Sequence, residues 1–234
     1  MKYVVILWFF VSFNVLSVEI STLFLVTDEG GRGHITITND APESLFLISR
    51  ISEILVSKDK LTSTPYTRDN VGSWDFSVYP ARAVLYPNMA KAFRVECKSD
   101  CTEASQRDRV FKVDFSPAPY TPPGGLQQGT NTELMIGFSP YIVVPAKESK
   151  MDYSFSYDGE TLSIHNKGNT LAVVHVTNCE KGQRSKQCEQ RIHVLSGRQL
   201  HIKLRDLVRA DELDVIVTNH NRQYRQSHTV KISH

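Results

Sequence analysis

Four histidines are the residues best suited to acid–base or metal chemistry, and each lies in a strand-like segment: His165, His175, His193 and His201. Histidines at alternating strand positions are typically solvent-facing or hydrogen-bonded residues rather than ligands or catalysts. The chain has no G-x-S-x-G, H-E-x-x-H, P-loop or Gly-rich dinucleotide motif, and its Asp and Glu residues are scattered among turns. The sequence gives no positive support for an enzyme, although a secreted β-rich hydrolase of unfamiliar type remains an alternative.

The four cysteines form two close pairs. Cys179 and Cys188 flank the polar segment EKGQRSKQ, and Cys97 and Cys101 flank KSD. In an oxidising compartment both pairs are predicted to form local disulfides, and Cys179–Cys188 would brace a hairpin by about 3 kcal/mol through loop closure. The alternative is a zinc site, but neither spacing is C-x-x-C and the nearby histidines lack ligand-like spacing. We therefore expect no metal and no other cofactor.

The N-terminal sequence predicts that the protein is exported. MKYVVILWFFVSFNVLS contains one charge, Lys2, followed by an apolar run from Tyr3 to Leu16 and small residues near its end. This pattern predicts a secretory signal peptide over residues 1–17, with the mature chain beginning near Val18. A membrane anchor is the alternative, but the run is shorter than the ~20 residues that span a bilayer. We expect no stable membrane insertion after cleavage.

Length and charge narrow the class of protein further. The 234 residues suffice for two ordinary domains, each with its own core. The net charge is only +2, with 22% charged residues and no basic stripe with interleaved aromatics, which argues against a nucleic-acid binder.

The elements that must position these residues are strands almost throughout. Period-2 alternation of β-branched and aromatic residues, bounded by turn residues, recurs in GHITITND, ESLFLISRISEI, KAFRVEC, RVFKVDFSP, ETLSIHNKG, TLAVVHVTNC and LDVIVTN. Many short strands at this spacing predict an all-β protein built of antiparallel sandwiches. The segment VVPAKESKMD carries a Pro and a run of charge, and it predicts a boundary between domains at 18–146 and 147–234.

One stretch raises a functional question. NTELMIGFSPYIVVPAK follows the loop SPAPYTPPGGLQQGT, and Leu134, Ile136 and Phe138 alternate along its first half. Met135 and the run YIVV are also apolar, so the sequence leaves open which side of the strand faces the core. A strand with large apolar side chains beyond its core face must cover them with something.

Taken in order, these segments resemble a known family. The signal peptide, ITND, VYPARAVLYPNMAKAFRV, RVFKVDFSPAP, the flexible loop, NTELMIGFSPYIVVPAK and LSIHNKGNTLAVVHVTNC are together similar to the periplasmic pilus chaperones of the chaperone–usher pathway. NKGNTLAVVHV followed by a cysteine pair, and TEL opening the long strand, are most similar to the alternative (alpha-type) and common-pilus branch.

The resemblance implies two immunoglobulin-like sandwiches at an angle, with a cleft between them. It also implies that the strand at about 131–145 lends Leu134, Ile136 and Phe138 to a fimbrial subunit that lacks a strand, by donor-strand complementation. Three such side chains would contribute about 5–8 kcal/mol before ordering costs. The implied partners are fimbrial subunits and an outer-membrane usher, in the periplasm. Ordinary core packing of the three side chains is the alternative.

The sequence departs from the family pattern at the anchor for the subunit's terminal carboxylate. The first strand and the donor strand, EISTLFLVTD and MIGFSPYIVV, contain no Lys or Arg. A buried carboxylate needs a cationic partner, so the resemblance makes Lys112 the candidate, with Arg50, Arg82 and Arg109 as substitutes. By the same resemblance, Arg94 is expected to tie the domains together through acidic partners such as Asp108.

The sequence thus predicts a non-enzymatic chaperone of fimbrial subunits. The first alternative is an exported immunoglobulin-like adhesion or pilus structural module, which should show one incomplete sandwich rather than two complete ones. The second is the hydrolase, which would need a cleft with perturbed acid–base groups.

Overall fold

The computed structural model describes residues 18–57, 60–98, 101, 106–121, 135–179 and 185–233. The expected signal peptide at 1–17 lies outside these residues. Among the described residues, none of the helices is long and apolar enough to cross a bilayer.

The first ten strands make two facing sheets. In chain order they are β1 Val18–Ile20, β2 Phe24–Val26, β3 Arg32–Asn39, β4 Leu45–Ser57, β5 Lys60–Pro65, β6 Phe76–Tyr79, β7 Arg82–Leu85, β8 Met89–Cys97, β9 Arg109–Pro119 and β10 Tyr141–Val144. One sheet has the order β1-β3-β8-β6, and the other has the order β2-β10-β9-β4-β5 with β7 paired to β4. A short 3-10 helix, Arg68–Ser73, joins β5 to β6.

The last seven strands make two further sheets. They are β11 Tyr153–Tyr157, β12 Thr161–Asn166, β13 Ala172–Thr177, β14 Glu189–Val194, β15 Gln199–Lys203, β16 Glu212–Thr218 and β17 Arg225–Lys231. The sheet orders are β11-β12-β15 and β14-β13-β16-β17. A 3-10 turn, Asp206–Val208, separates β15 from β16.

Each pair of sheets closes over its own apolar core, as the period-2 patterns predict. In the first sandwich, Phe111, Val113 and Phe115 of β9 face Ile35 and Phe93 of the opposite sheet. In the second, the core is built by Leu162, Ile164, Val174, Val176, Leu213 and Val215, among others. The prediction of an all-β fold with two sandwiches is confirmed, whereas the boundary between residues 146 and 147 stays a prediction.

A third apolar cluster joins the two sandwiches. Ile54, Val110 and Val143 lie on the outer face of the sheet that contains β9 and β10, and they pack with Leu171, Val173 and Leu195 of the second sandwich. This sheet is therefore covered on both faces near the junction, which is why YIVV in β10 is apolar without alternation.

Both predicted disulfides are present. Cys97 and Cys101 are bonded with their Cα atoms 5.8 Å apart, and Cys179 and Cys188 with theirs 5.1 Å apart. The second bond holds the end of β13 next to the start of β14, which are paired through Thr177 and Glu189.

Candidate functional site

The segment before β10 forms an edge of the first sandwich. Its inner side bonds β9: Phe138 and Phe115 exchange backbone hydrogen bonds of 3.0 and 2.7 Å, and Val113 N–H donates to the Pro140 carbonyl at 3.1 Å. On the outer side, β2 covers only Tyr141 to Val143. In an antiparallel pair of strands, the backbone N–H and C=O groups of successive residues point alternately toward and away from the neighbouring strand. Those of Phe138 point toward β9, so those of Gly137 and Ser139 point away from it. Among the described residues they have no backbone partner there.

Side chains along this edge differ sharply in exposure. Ile136 is 67% exposed, one of the most exposed large apolar side chains among the described residues. Phe138 is half-buried, and it lies opposite Phe115, on the same face of the sheet as the buried Ile142. Met135 is half-buried, and Leu134 lies outside the described residues.

Gly137 lets the edge lie close to β9. A Cβ at this position would come within 2.8 Å of the Phe115 carbonyl oxygen. Any side chain would therefore push the segment off its neighbour, so glycine is needed here for close approach rather than for backbone torsion.

Lys112 lies beside this segment on the outer face of β9, the face on which Val110 packs against the second sandwich. Its Nζ is 3.2 Å from Asp114 Oδ2, and the side chain is 27% exposed. Ser139 of the edge segment donates its hydroxyl to Asp114 Oδ1 at 2.5 Å. In the register, Lys112 lies opposite Tyr141. The structure thus brings the predicted anchor and the predicted donor segment together through Asp114.

The three arginines that could replace Lys112 as the carboxylate anchor are less suitably placed. Arg109 is held by Glu53, through Nε at 3.0 Å and Nη2 at 2.7 Å, and by Asp75 at 2.8 Å. Arg50 lies opposite Asp114 in the register and is exposed, and Arg82 is exposed on β7.

The predicted pairing of Arg94 with Asp108 is wrong. Arg94 lies on β8 in the sheet remote from the second sandwich, with its side chain 64% exposed, 3.7 Å from Glu96 and 6.0 Å from the centre of the Tyr79 ring. Asp108 instead accepts from the backbone N–H groups of Ala146 at 2.8 Å and Leu171 at 2.6 Å. The alternation of β8 points Arg94 outward, so it never reaches the junction.

Asp108 is a buried acid that links the two sandwiches. The Thr170 hydroxyl also contacts it at 3.3 Å. Burial raises the pKa of the Asp108 carboxyl, and the hydrogen bonds from Ala146, Leu171 and Thr170 act in the opposite direction. Asp108 is 7% exposed, so its carboxyl group is almost fully removed from water.

A cavity of about 450 Å³ lies between the sandwiches. Phe24, Leu61 and Tyr141 line it from the first sandwich. Eight residues line it from β14, β15 and the turn between them: Gln190, Arg191, Ile192, His193, Leu195, Arg198, Leu200 and Ile202. The rings of Phe24 and His193 stack across it, with centroids 4.4 Å apart. Sequence reasoning missed this cavity, because nothing in the alternation of β14 signals what it will face.

His193 is expected to make the stability of the protein depend on pH. Burial, and then the charge of Arg191, lower the pKa of His193. The unfolded chain then binds a proton more readily than the folded protein, so the free energy of unfolding should fall as pH drops below about 6.5. Urea unfolding at pH values on either side of this should show a smaller loss for His193→Gln than for the wild type. An equal loss of unfolding free energy in both proteins would show that His193 is not the residue responsible for the pH dependence.

A family model for the CS5 fimbrial protein N-terminal domain matches residues 20–145. The chain belongs to this family. The match ends one residue beyond β10, so it contains the edge segment, Lys112 and Asp108. No curated protein sequence matches the chain.

Solved structures share the fold over nearly the whole length. A chain of the Salmonella enterica SafA pilin in complex with the SafB chaperone is similar with a TM-score of 0.57 at 13% identity, covering 94% of this chain and 99% of that one. The E. coli chaperone DraB gives a TM-score of 0.54 at 13% identity, with coverages of 94% and 98%. The class 5 fimbriae chaperone CfaA gives 0.53 at 13%, with coverages of 92% and 99%. The resemblance seen in the sequence is confirmed, whereas the alpha-type branch stays a prediction.

Proposed function

We propose that this protein is a periplasmic chaperone that binds and caps fimbrial subunits by donor-strand complementation and delivers them to an outer-membrane usher. The supporting observation is the edge formed by residues 136–139, where backbone groups without a strand partner adjoin the exposed Ile136. An extended segment of a subunit would add to this edge as a further strand. Of the three predicted donor side chains, we assign Ile136 and Leu134 to the subunit's groove. Phe138 lies opposite the buried Phe115, so we assign it to the core face of the first sandwich.

The proposed role needs no enzyme activity and no cofactor. A subunit that lacks a strand has an exposed groove, and filling the groove supplies the free energy of capture. Removal of residues 1–17 after export belongs to the same proposal, since it would leave the mature chain starting at β1. The similarity to chaperones in complex with a pilin or a tip adhesin supports the choice of partner.

Co-expression tests this function. The chain should be produced in the periplasm with the fimbrial subunits encoded beside its gene, and complexes should be isolated through a tag on the chaperone. We expect a soluble one-to-one complex and degraded or aggregated subunit when the chaperone is omitted. Subunits that stay soluble and monomeric without the chaperone would contradict the proposal.

We further propose that Lys112 receives a carboxylate of the bound subunit. In Lys112→Ala the complex should weaken by about 3–5 kcal/mol, because truncating one partner of a buried ion pair leaves the other charge unpaired. The free protein should stay folded, since the ion pair of Lys112 with Asp114 is partly exposed to solvent. Complex yield on co-expression measures the effect. Arg94→Ala, which replaces an exposed arginine on the sheet remote from the edge, is the control and should bind as the wild type does. A yield equal to the wild type in Lys112→Ala would remove Lys112 from the site.

A further inference from the structure

A second cavity lies beside the segment that joins the two sandwiches. Its volume is about 980 Å³, at the upper end of the range of about 300–1,000 Å³ that is usual for ligand sites. Thr27 and the turn from β2 to β3 line it from the first sandwich, and the turn from β16 to β17 lines it from the second. Residues of the joining segment, from Pro145 to Ser149, complete the wall.

One buried atom on each side of this cavity lacks a hydrogen-bond partner. Thr27 is 5% exposed, and neither its Oγ1 atom nor the Nδ1 atom of His220 has a partner in the structure. Buried polar groups in folded proteins are almost always hydrogen-bonded, because removing them from water otherwise costs free energy. Thr27 belongs to the first sandwich and His220 to the second, so a molecule that binds both atoms would bridge the sandwiches.

Hydrogen bonds within the protein hold the two walls of the cavity in place. On the first sandwich, Thr27 N–H donates to the Val143 carbonyl at 3.0 Å. On the second, Tyr224 N–H donates to Asn219 Oδ1 at 3.1 Å, and the Tyr224 hydroxyl is 2.9 Å from that of Tyr153. The walls are therefore formed without an occupant, and a ligand would not have to order them.

The groups that line the cavity favour a neutral ligand rich in hydroxyl groups. Asp28 and Glu29 supply carboxylates and Lys147 supplies an ammonium group, so the lining carries both signs of charge. Most of its other polar groups are amides and hydroxyls, which both donate and accept: Ser149, Asn219, Asn221, Gln223 and Tyr224. A ligand hydroxyl also donates and accepts, so it matches both Thr27 Oγ1 and the His220 nitrogen, whichever tautomer the ring adopts.

We infer that this cavity binds a neutral polyhydroxylated molecule, about the size of one or two sugar rings, which bridges the two sandwiches through Thr27 and His220. This role goes beyond the proposed function and does not depend on it, since neither Lys112 nor the edge at residues 136–139 lines the cavity. Because Lys147 does line it, the bound molecule should also slow tryptic cleavage at this lysine.

Titration of the whole protein with glucose and with maltose tests the site, with the backbone amides followed by NMR. We expect saturable shifts at Thr27, Lys147 and His220. Glucuronate and glucosamine have the same ring but carry a negative and a positive charge, and each should bind at least about threefold more weakly than glucose, because its charge must be desolvated without a full partner.

Thr27→Val replaces the hydroxyl by a methyl group. It should weaken sugar binding by about two- to tenfold, the value of one hydrogen bond, without lowering the stability of the free protein, because the hydroxyl has no partner there. Thr27→Ser keeps the hydroxyl and should bind as the wild type does, as should Thr64→Val, an exposed position on β5. Melting temperatures must be compared between these variants, because sugars stabilise most proteins through exclusion from the surface.

Three results would each overturn the inference. They are the absence of saturable shifts with both sugars, wild-type affinity in Thr27→Val, and binding of glucuronate or glucosamine as tight as that of glucose. In the first case the two buried atoms are bound by water alone. Subunit capture on co-expression is measured separately, so none of these results bears on the proposed chaperone function.

Discussion

Ile136→Asp should abolish capture of the subunit while leaving the chaperone folded. Ile136 is 67% exposed, so a charge there costs little in the free protein. In a complex the same charge would enter an apolar groove, losing about 1.5–3 kcal/mol of apolar burial and adding the desolvation of a carboxylate. We expect at least about a hundredfold loss of affinity. Complex yield on co-expression and thermal unfolding of the purified protein measure the two effects.

Two further variants serve as controls for Ile136→Asp. Leu55→Asp replaces another exposed aliphatic side chain. Leu55 is 58% exposed on β4, away from the edge at residues 136–139, so the change should affect neither binding nor stability. Phe138→Asp should destabilise the free protein, because Phe138 lies opposite the buried Phe115 on the core face. An Ile136→Asp protein that binds normally would contradict the donor-strand assignment, and one that unfolds would show that Ile136 is part of the core.

The strands that were predictable from sequence are those with one core face. In RVFKVDF, Phe111, Val113 and Phe115 face the core, and Lys112 and Asp114 alternate with them on the outer face of the sheet. Period-2 alternation therefore gave both the element and the orientation of Lys112. Period-2 alternation could not predict the orientation of YIVV, because Ile142 packs in the core while Val143 packs in the junction between the sandwiches, so both faces are apolar.

The start of the chain shows another limit of sequence patterns. The apolar pattern of EISTLFLVTD predicts one strand, but the chain divides into β1, which pairs with β3, and β2, which pairs in parallel with β10. The two halves belong to opposite sheets. This crossing covers the edge of β10 at Tyr141 to Val143 and leaves residues 136–139 uncovered, so the extent of the candidate site depends on a feature with no local sequence signal.

The charged residues were the hardest to assign, for a physical reason. Side-chain type suggests a partner of opposite charge, but Asp108 is satisfied mainly by backbone N–H groups, which every residue except proline carries. Arg198 is notable for lacking a partner, a property that exists only once the chain is folded. Neither could have been predicted from composition or spacing.

Asp108→Ala should loosen the junction between the two sandwiches. The change leaves the N–H groups of Ala146 and Leu171 without their acceptor, and each unsatisfied buried donor costs about 1–3 kcal/mol, giving about 2–6 kcal/mol in the free energy of unfolding. Asp108→Asn is the control. Its single amide oxygen keeps one of the two bonds, and because burial raises the pKa of Asp108, losing the charge itself is favourable.

Urea unfolding gives the energies, and limited proteolysis locates the change. Lys147 and Lys150 lie in the exposed segment between β10 and β11, so trypsin should cleave there faster in Asp108→Ala than in Asp108→Asn or the wild type. The Ala146 N–H group that Asp108 holds directly precedes this segment, so the loss of that bond should be felt first at these lysines. Equal stability and equal cleavage in all three proteins would mean that the apolar cluster of Ile54, Val143 and Leu171 alone holds the sandwiches together. A loss as large in Asp108→Asn as in Asp108→Ala would show instead that the charge, rather than its acceptor oxygens, stabilises the junction.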